Sequence, residues 1–252
     1  MRVRRFGMRS MNPVFRSARH HEGVASEHAA SYAGVISKSA LLLGLMVFFG
    51  GLSMSRLIGL QELPPGGIGT LIAAPIIALI SVIVASTSLR LAPAFTIIYA
   101  IAQGTFLGVV SGFYEIVFGD HIVVSALLAT VAVFASMLTL YATGLVRVGD
   151  VMRKVLFTAL IALLMTSLFL VILSLFGAFT YGENLGLIFA ICIIAIIVAT
   201  LFLLIDFDNI QRAVEAGADK RVEWVLSLGL LVTLVWLYIE LLRFIAILRQ
   251  RR

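Results

Sequence analysis

The chain has 252 residues, 61% hydrophobic and only 13% charged, against a usual charged share of about 25%, and its mean hydropathy is +1.10. Too few polar groups remain to cover a water-facing surface, which excludes a soluble globular protein and points to a membrane protein. The net charge of +6 is not a nucleic-acid signal, because Lys and Arg fall between apolar segments and at the ends, and the one cysteine, Cys192, lies in an apolar run, which leaves no intrachain disulfide and no Cys metal cluster.

Residues 1–36 form a basic tail in which Arg2, Arg4, Arg5, Arg9, Arg16 and Arg19 face only Glu22 and Glu27. The tail is long for the basic start of a signal peptide, and no small-residue cleavage site follows the next apolar segment. It reads as a retained cytosolic tail that rests on anionic lipid. His20, His21 and His28 cluster there without Cys or carboxylate at zinc-ligand spacing, so no metal is expected.

Residues 37–252 read as a transmembrane domain of seven helices, at 39–57, 68–89, 93–116, 122–143, 155–177, 185–205 and 223–248. Each apolar run suffices for a helix to cross a hydrocarbon core of about 30 Å. A barrel would need alternating ten-residue segments instead of continuous apolar runs. Pro64-Pro65-Gly66-Gly67 marks the turn between the first two spans. With the N-terminus inside, 14 basic residues face the cytosol against four outside (Arg56, Arg249, Arg251 and Arg252), and Arg243 stays within the membrane. The positive-inside rule therefore places the N-terminus in the cytosol. An odd span count puts the three C-terminal arginines on the far side, an objection that a re-entrant seventh segment would remove.

In the third span Gly104, Gly108 and Gly112 recur every fourth residue and leave one face without side chains, which suits a close helix contact or a pore lining. Pro75 and Pro93 remove backbone donors in or at the start of spans and can kink them. Toward the end of the chain a long apolar run closes in Asp206-Phe-Asp208-Asn209. A carboxylate at the bilayer centre costs about 2.5 to 3.5 kcal/mol on the insertion scale, so acids in such segments are functional candidates. Asp206 and Asp208 stand about 200° apart if the helix runs through both, one pointing inward and one toward the interface, with Asn209 positioned to join the hydrogen bonds of Asp206. Thr233, Trp236, Glu240 and Arg243 form one polar stripe in the last span, expected to face the bundle interior. The same residues also read as a self-neutralising Glu240 and Arg243 pair and as ordinary interfacial acids. No Walker loop, nucleophile elbow or paired-His helix is present, so neither an enzyme nor a bound cofactor is expected.

The tail motif Asn12-Pro-Val-Phe15, the Tyr99 to Glu115 pattern, Leu204-Ile-Asp206-Phe-Asp-Asn-Ile210 and Val232-Thr-Leu-Val-Trp-Leu-Tyr-Ile-Glu-Leu-Leu-Arg243 together resemble the Bax inhibitor-1 (transmembrane Bax inhibitor motif) family, and within it the bacterial branch. The resemblance implies seven helices with the last one central and ringed by the other six. It also implies a pH-sensitive calcium leak, in a bacterial plasma membrane, governed by two aspartates that share a proton. Asp206 matches the helix-six aspartate. Thr233 stands where the second is expected, and Glu240, seven residues on, lies on the same face about 10 Å along the helix. Gln103 occupies a position where an acid is expected, and Arg90 does not align securely with the basic residue of leak-forming relatives. Calcium is the ion implied, with Asp206 and Glu240 as transient contacts and Asp208 and Arg243 as further gate candidates. The other role known in the family, a non-conducting regulator that binds a membrane partner such as a quality-control protease, suits the basic tail and the glycine face.

Overall fold

The computed structural model describes residues 29–60, 63, 67–119, 121–146, 148–180 and 184–250. The Asn12-Pro-Val-Phe15 motif, the tail histidines and most of the Pro64 to Gly67 turn lie outside the described residues. Among the described residues, seven helices are long and apolar enough to cross a membrane: α1 Tyr32–Ser55, α2 Ile68–Thr87, α3 Ala92–Phe118, α4 Ile122–Ala142, α5 Asp150–Leu175, α6 Leu185–Glu215 and α7 Val222–Gln250. A short π-helix, Arg56–Leu60, continues α1.

Helix ends follow capping chemistry, so several helices overrun the apolar segments that announce them. Ser31 is extended and its hydroxyl accepts the Gly34 amide at 3.0 Å, which starts α1 at Tyr32 instead of residue 39. Pro93 sits in the first turn of α3, where its missing N–H is no loss. The helix α6 passes through Asp206 and Asp208 and ends at Glu215, ten residues beyond the expected 205, because nothing after Ile205 breaks the backbone ladder. At 29 residues, α7 is one unbroken helix, about 43 Å long by helical rise. That length fits a crossing and not a re-entrant loop.

The glycine face of α3 meets α1. A Cβ on Gly104 would come within 2.6 Å of the Met46 carbonyl oxygen, and one on Gly108 would collide with the backbone of Gly50. Gly112 meets side chains instead, Leu57 Cδ2 at 3.1 Å from its virtual Cβ. Backbone-to-backbone approach of this kind is what small residues allow between helices in lipid. The ring around α7 is open. The last helix packs against α1, α3, α4 and α6 and, at a few points, α2, whereas α5 makes close backbone approach to α6 alone. Two gaps therefore flank α5, one toward α2 and one toward α3. Its outward Ile161, Leu168, Phe169 and Leu175 are exposed apolar side chains, as a lipid-facing helix requires. The two ends of the bundle are tied differently. At one end the Ala30 amide donates to the Ala218 carbonyl at 2.7 Å. At the other, Arg249 Nη1 donates to the Gly119 carbonyl at 2.6 Å, and Glu115 accepts the His121 and Val123 amides at the start of α4.

Candidate functional site

The two aspartates of α6 are separated by the helical twist and by their partners. Asp208 Oδ2 accepts from Arg153 Nη2 of α5 and from Arg212 Nε, one turn along α6, at 2.7 Å. Arg153 Nη1 also donates to Asn209 Oδ1 at 2.9 Å. Asn209 is thus engaged by an arginine from α5 and does not join the hydrogen bonds of Asp206, contrary to expectation. Two guanidinium groups neutralise Asp208.

Asp206 has no such compensation. Its side chain faces α7, 3.8 Å from the position a Cβ would take on Gly229. One carboxylate oxygen is buried and has no hydrogen-bond partner. No Lys or Arg forms an ion pair with it among the described residues. The Thr233 hydroxyl, which donates to the Gly229 carbonyl at 3.3 Å, lies beside it. Thr233 is therefore across from Asp206, at the position where the resemblance implies a second acid. Asp206, Asn209 and Thr233 line a cavity of about 540 Å³ in the gap between α2 and α5, with Ser86, Leu164 and Trp236 on its other walls.

The polar stripe of α7 does not serve one space. Thr233 and Trp236 face the Asp206 cavity, whereas Arg243 lines a second cavity of about 450 Å³ with Tyr114, Ser167 and Gln250, in the gap between α3 and α5. The two cavities share no lining residue. Between them Glu240 is buried and holds Arg243 at 3.3 Å, while Cys192 Sγ donates to the Glu240 backbone carbonyl at 3.2 Å. Among the described residues no three His, Cys, Asp or Glu side chains converge on a metal-sized space.

The least exposed acid among the described residues is one that the sequence does not single out. Glu223, in the first turn of α7, is 0% exposed. It accepts from Lys38, from the Ser31 amide at 2.8 Å and from the Ser31 hydroxyl at 3.2 Å. One turn on, Ser227 donates to the Val35 carbonyl at 3.0 Å. The cluster fastens the start of α1 to the start of α7, and no local pattern signals it, since 185 residues separate Lys38 from Glu223. Arg153, the clasp between α5 and α6, enters the sequence only as one of the 14 basic residues counted for orientation, for a similar reason.

Seven apolar helices, with polar groups gathered where the last two meet, define a multi-pass membrane protein. Its sequence matches the family described as Bax inhibitor 1 like over residues 12–250, and the chain belongs to that family. A comparison with curated proteins found no match.

Proposed function

We propose that the chain is a passive cation leak of a bacterial plasma membrane, oriented with its N-terminus in the cytosol, with calcium as the ion carried and Asp206 as the group through which pH acts. The observation that supports this reading is the uncompensated Asp206 carboxylate on the wall of a cavity of about 540 Å³ between helices. Intramembrane acids without a structural partner mark ion and proton pathways, and hard cations prefer carboxylate and carbonyl oxygen. In this reading Thr233 leaves the site with one titrating acid where two-aspartate relatives have a proton-sharing pair. The pH response is then shallower than that of a coupled pair.

The test is flux from the chain alone in liposomes loaded with a calcium dye. Calcium entry without any partner is the expected result. Asp206→Asn keeps the side-chain size, removes the titration and abolishes the pH dependence of flux, while Thr233→Asp steepens it. A folded protein that stays silent across pH overturns the leak.

One observation favours the second reading, a non-conducting regulator that binds a membrane partner such as a quality-control protease. The Asp206 and Arg243 cavities share no lining residue, and the buried Glu240, paired with Arg243 on the wall of the second cavity, stands between them. Silent liposomes together with loss of function on altering the α3 face or the tail support that reading.

A further inference from the structure

The cavity beside Asp206 is a cleft in the side of the bundle, mostly apolar, with its few polar groups in the mouth and middle and none at its deepest end. Each lining helix contributes from the same end, the end where residues 29–31 meet 218–223. Asp206 lies nine residues before the end of α6 and Ser86 next to the end of α2, while Leu160 and Leu164 are ten and fourteen residues into α5. The walls on α7 run from Val225 to Trp236, about 16 Å along the axis. The cleft thus occupies the half of the bundle nearest that end, with Asn209 and Ser86 at the mouth, Asp206 and Thr233 below them among apolar walls, and Phe202, Leu164 and Trp236 deepest. Because α2 and α5 make no close backbone approach to each other, the cleft opens sideways between them.

We propose that this cleft binds a single-chain amphiphile with a protonated amine head, which enters from the bilayer and places its ammonium on Asp206 and its chain over Phe202, Leu164 and Trp236. The charge argument selects the head. Asp208 already holds Arg153 and Arg212, whereas the Asp206 carboxylate faces an apolar space with one oxygen unpartnered. A carboxylate in such a place is relieved by a counter-charge or by a proton, and a protonated amine offers the carboxylate both a positive charge and N–H donors. An anionic head is repelled, and a neutral alcohol leaves the carboxylate uncompensated. The apolar deep end selects the shape, since an amphiphile with its polar end at Asp206 lays its chain over Phe202, Leu164 and Trp236. A volume of about 540 Å³ falls within the range of about 300 to 1,000 Å³ typical of small-ligand sites.

The site is the cavity on which the leak reading also rests, but the two are tested apart, because binding is read in detergent where no flux exists. Purified full-length chain is titrated with dodecylamine and, in parallel, with 1-dodecanol, following tryptophan emission, to which Trp236 on the cavity wall contributes, and the thermal unfolding midpoint. Dodecylamine is expected to saturate at a concentration about tenfold below dodecanol, a difference of about 1.4 kcal/mol. Asp206→Asn should bring the two to within about twofold of each other. Leu164→Trp, at an exposed position on α5, narrows the cleft with Asp206 intact and should weaken dodecylamine about fivefold. Equal saturation of amine and alcohol by the parent overturns the proposal, as does an amine preference that survives in Asp206→Asn. If Asp206→Asn does not fold, the parent's ratio and Leu164→Trp decide: binding that is indifferent to Leu164→Trp places the amphiphile elsewhere and overturns the site.

Discussion

Burial separates the acids of this chain more sharply than their positions in the sequence do. Glu223 is wholly buried and receives Lys38 and both donors of Ser31, whereas Arg212 is 58% exposed where it meets Asp208. Removing one partner from a buried, hydrogen-bonded pair leaves the other charge stranded and is destabilising by about 3 to 5 kcal/mol. Removing an exposed helix pair changes about 0 to 1 kcal/mol. Glu223→Ala should therefore lower the thermal midpoint of the purified chain by far more than Arg212→Ala, with Lys38 left beside Trp224, over whose ring its ammonium already lies at 5.4 Å. Equal midpoints for the two variants would show that water reaches Glu223. Asp206 was legible beforehand because a carboxylate after a long apolar run is conspicuous. That Asp208 faces elsewhere was legible from a two-residue spacing on a helix. The partners of Asp208 were not, since Arg153 comes from another helix and nothing near it in sequence announces the meeting.

Between helices, the α1 and α3 contact brings backbone against backbone, and its tolerance differs from glycine to glycine. A Cβ on Gly108 meets the Gly50 backbone, which cannot rotate away, while one on Gly112 meets Leu57 Cδ2 and Met54, whose side chains can. Overpacking a fitted contact costs about 1 to 3 kcal/mol and more when backbone must move. Gly108→Leu should then collapse the folded yield, and Gly112→Ala should be recovered like the parent, by size-exclusion profile in detergent. Equal recovery of Gly108→Leu would require that α1 and α3 part freely. The four-residue glycine period exposed this face in the sequence, but the partner was hidden, because Gly50 stands in α1 without a comparable repeat. The open ring was hidden as well. All seven segments are similarly apolar, and apolarity alone does not say whether a helix covers α7 or only α6. The helix α5 is tied near its start by Arg153 to Asp208 and Asn209. Arg153→Ala leaves Asp208 with Arg212 and should speed amide exchange over 150–158 while α3 and α7 keep their protection, since weakly packed elements open locally.

For the molecule as a whole, the tertiary contacts give the relative sidedness that charge counting needs. Ala29 pairs with Asp219 at one end, and Arg249 reaches Phe118 and Gly119 at the other, so the first and last described residues lie on opposite faces. Seven crossings require this, and it leaves only the choice of which face is cytosolic. Counted with the tail that precedes residue 29, the face with Arg90 and the 143–149 and 216–221 connections has 14 basic residues against four on the other. One of those four, Arg249, caps the C-terminal carbonyls of α3, a role that accounts for a basic residue there without any bearing on orientation. The remaining imbalance favours a cytosolic N-terminus, because basic loops near span ends resist translocation. A reporter fused after residue 5 or inserted within 145–149 should therefore read cytosolic, and one within 179–184 should read external. The three sites test different segments: the first reads the tail, the second the α4 to α5 loop and the third the α5 to α6 loop. All three reversed together would invert the protein and make the C-terminal arginines the deciding charges. A cytosolic reading at 179–184 with the other two unchanged would instead mean that α5 does not cross, and its exposed Leu164, Leu168 and Phe169 would then have to be covered by something other than lipid tails.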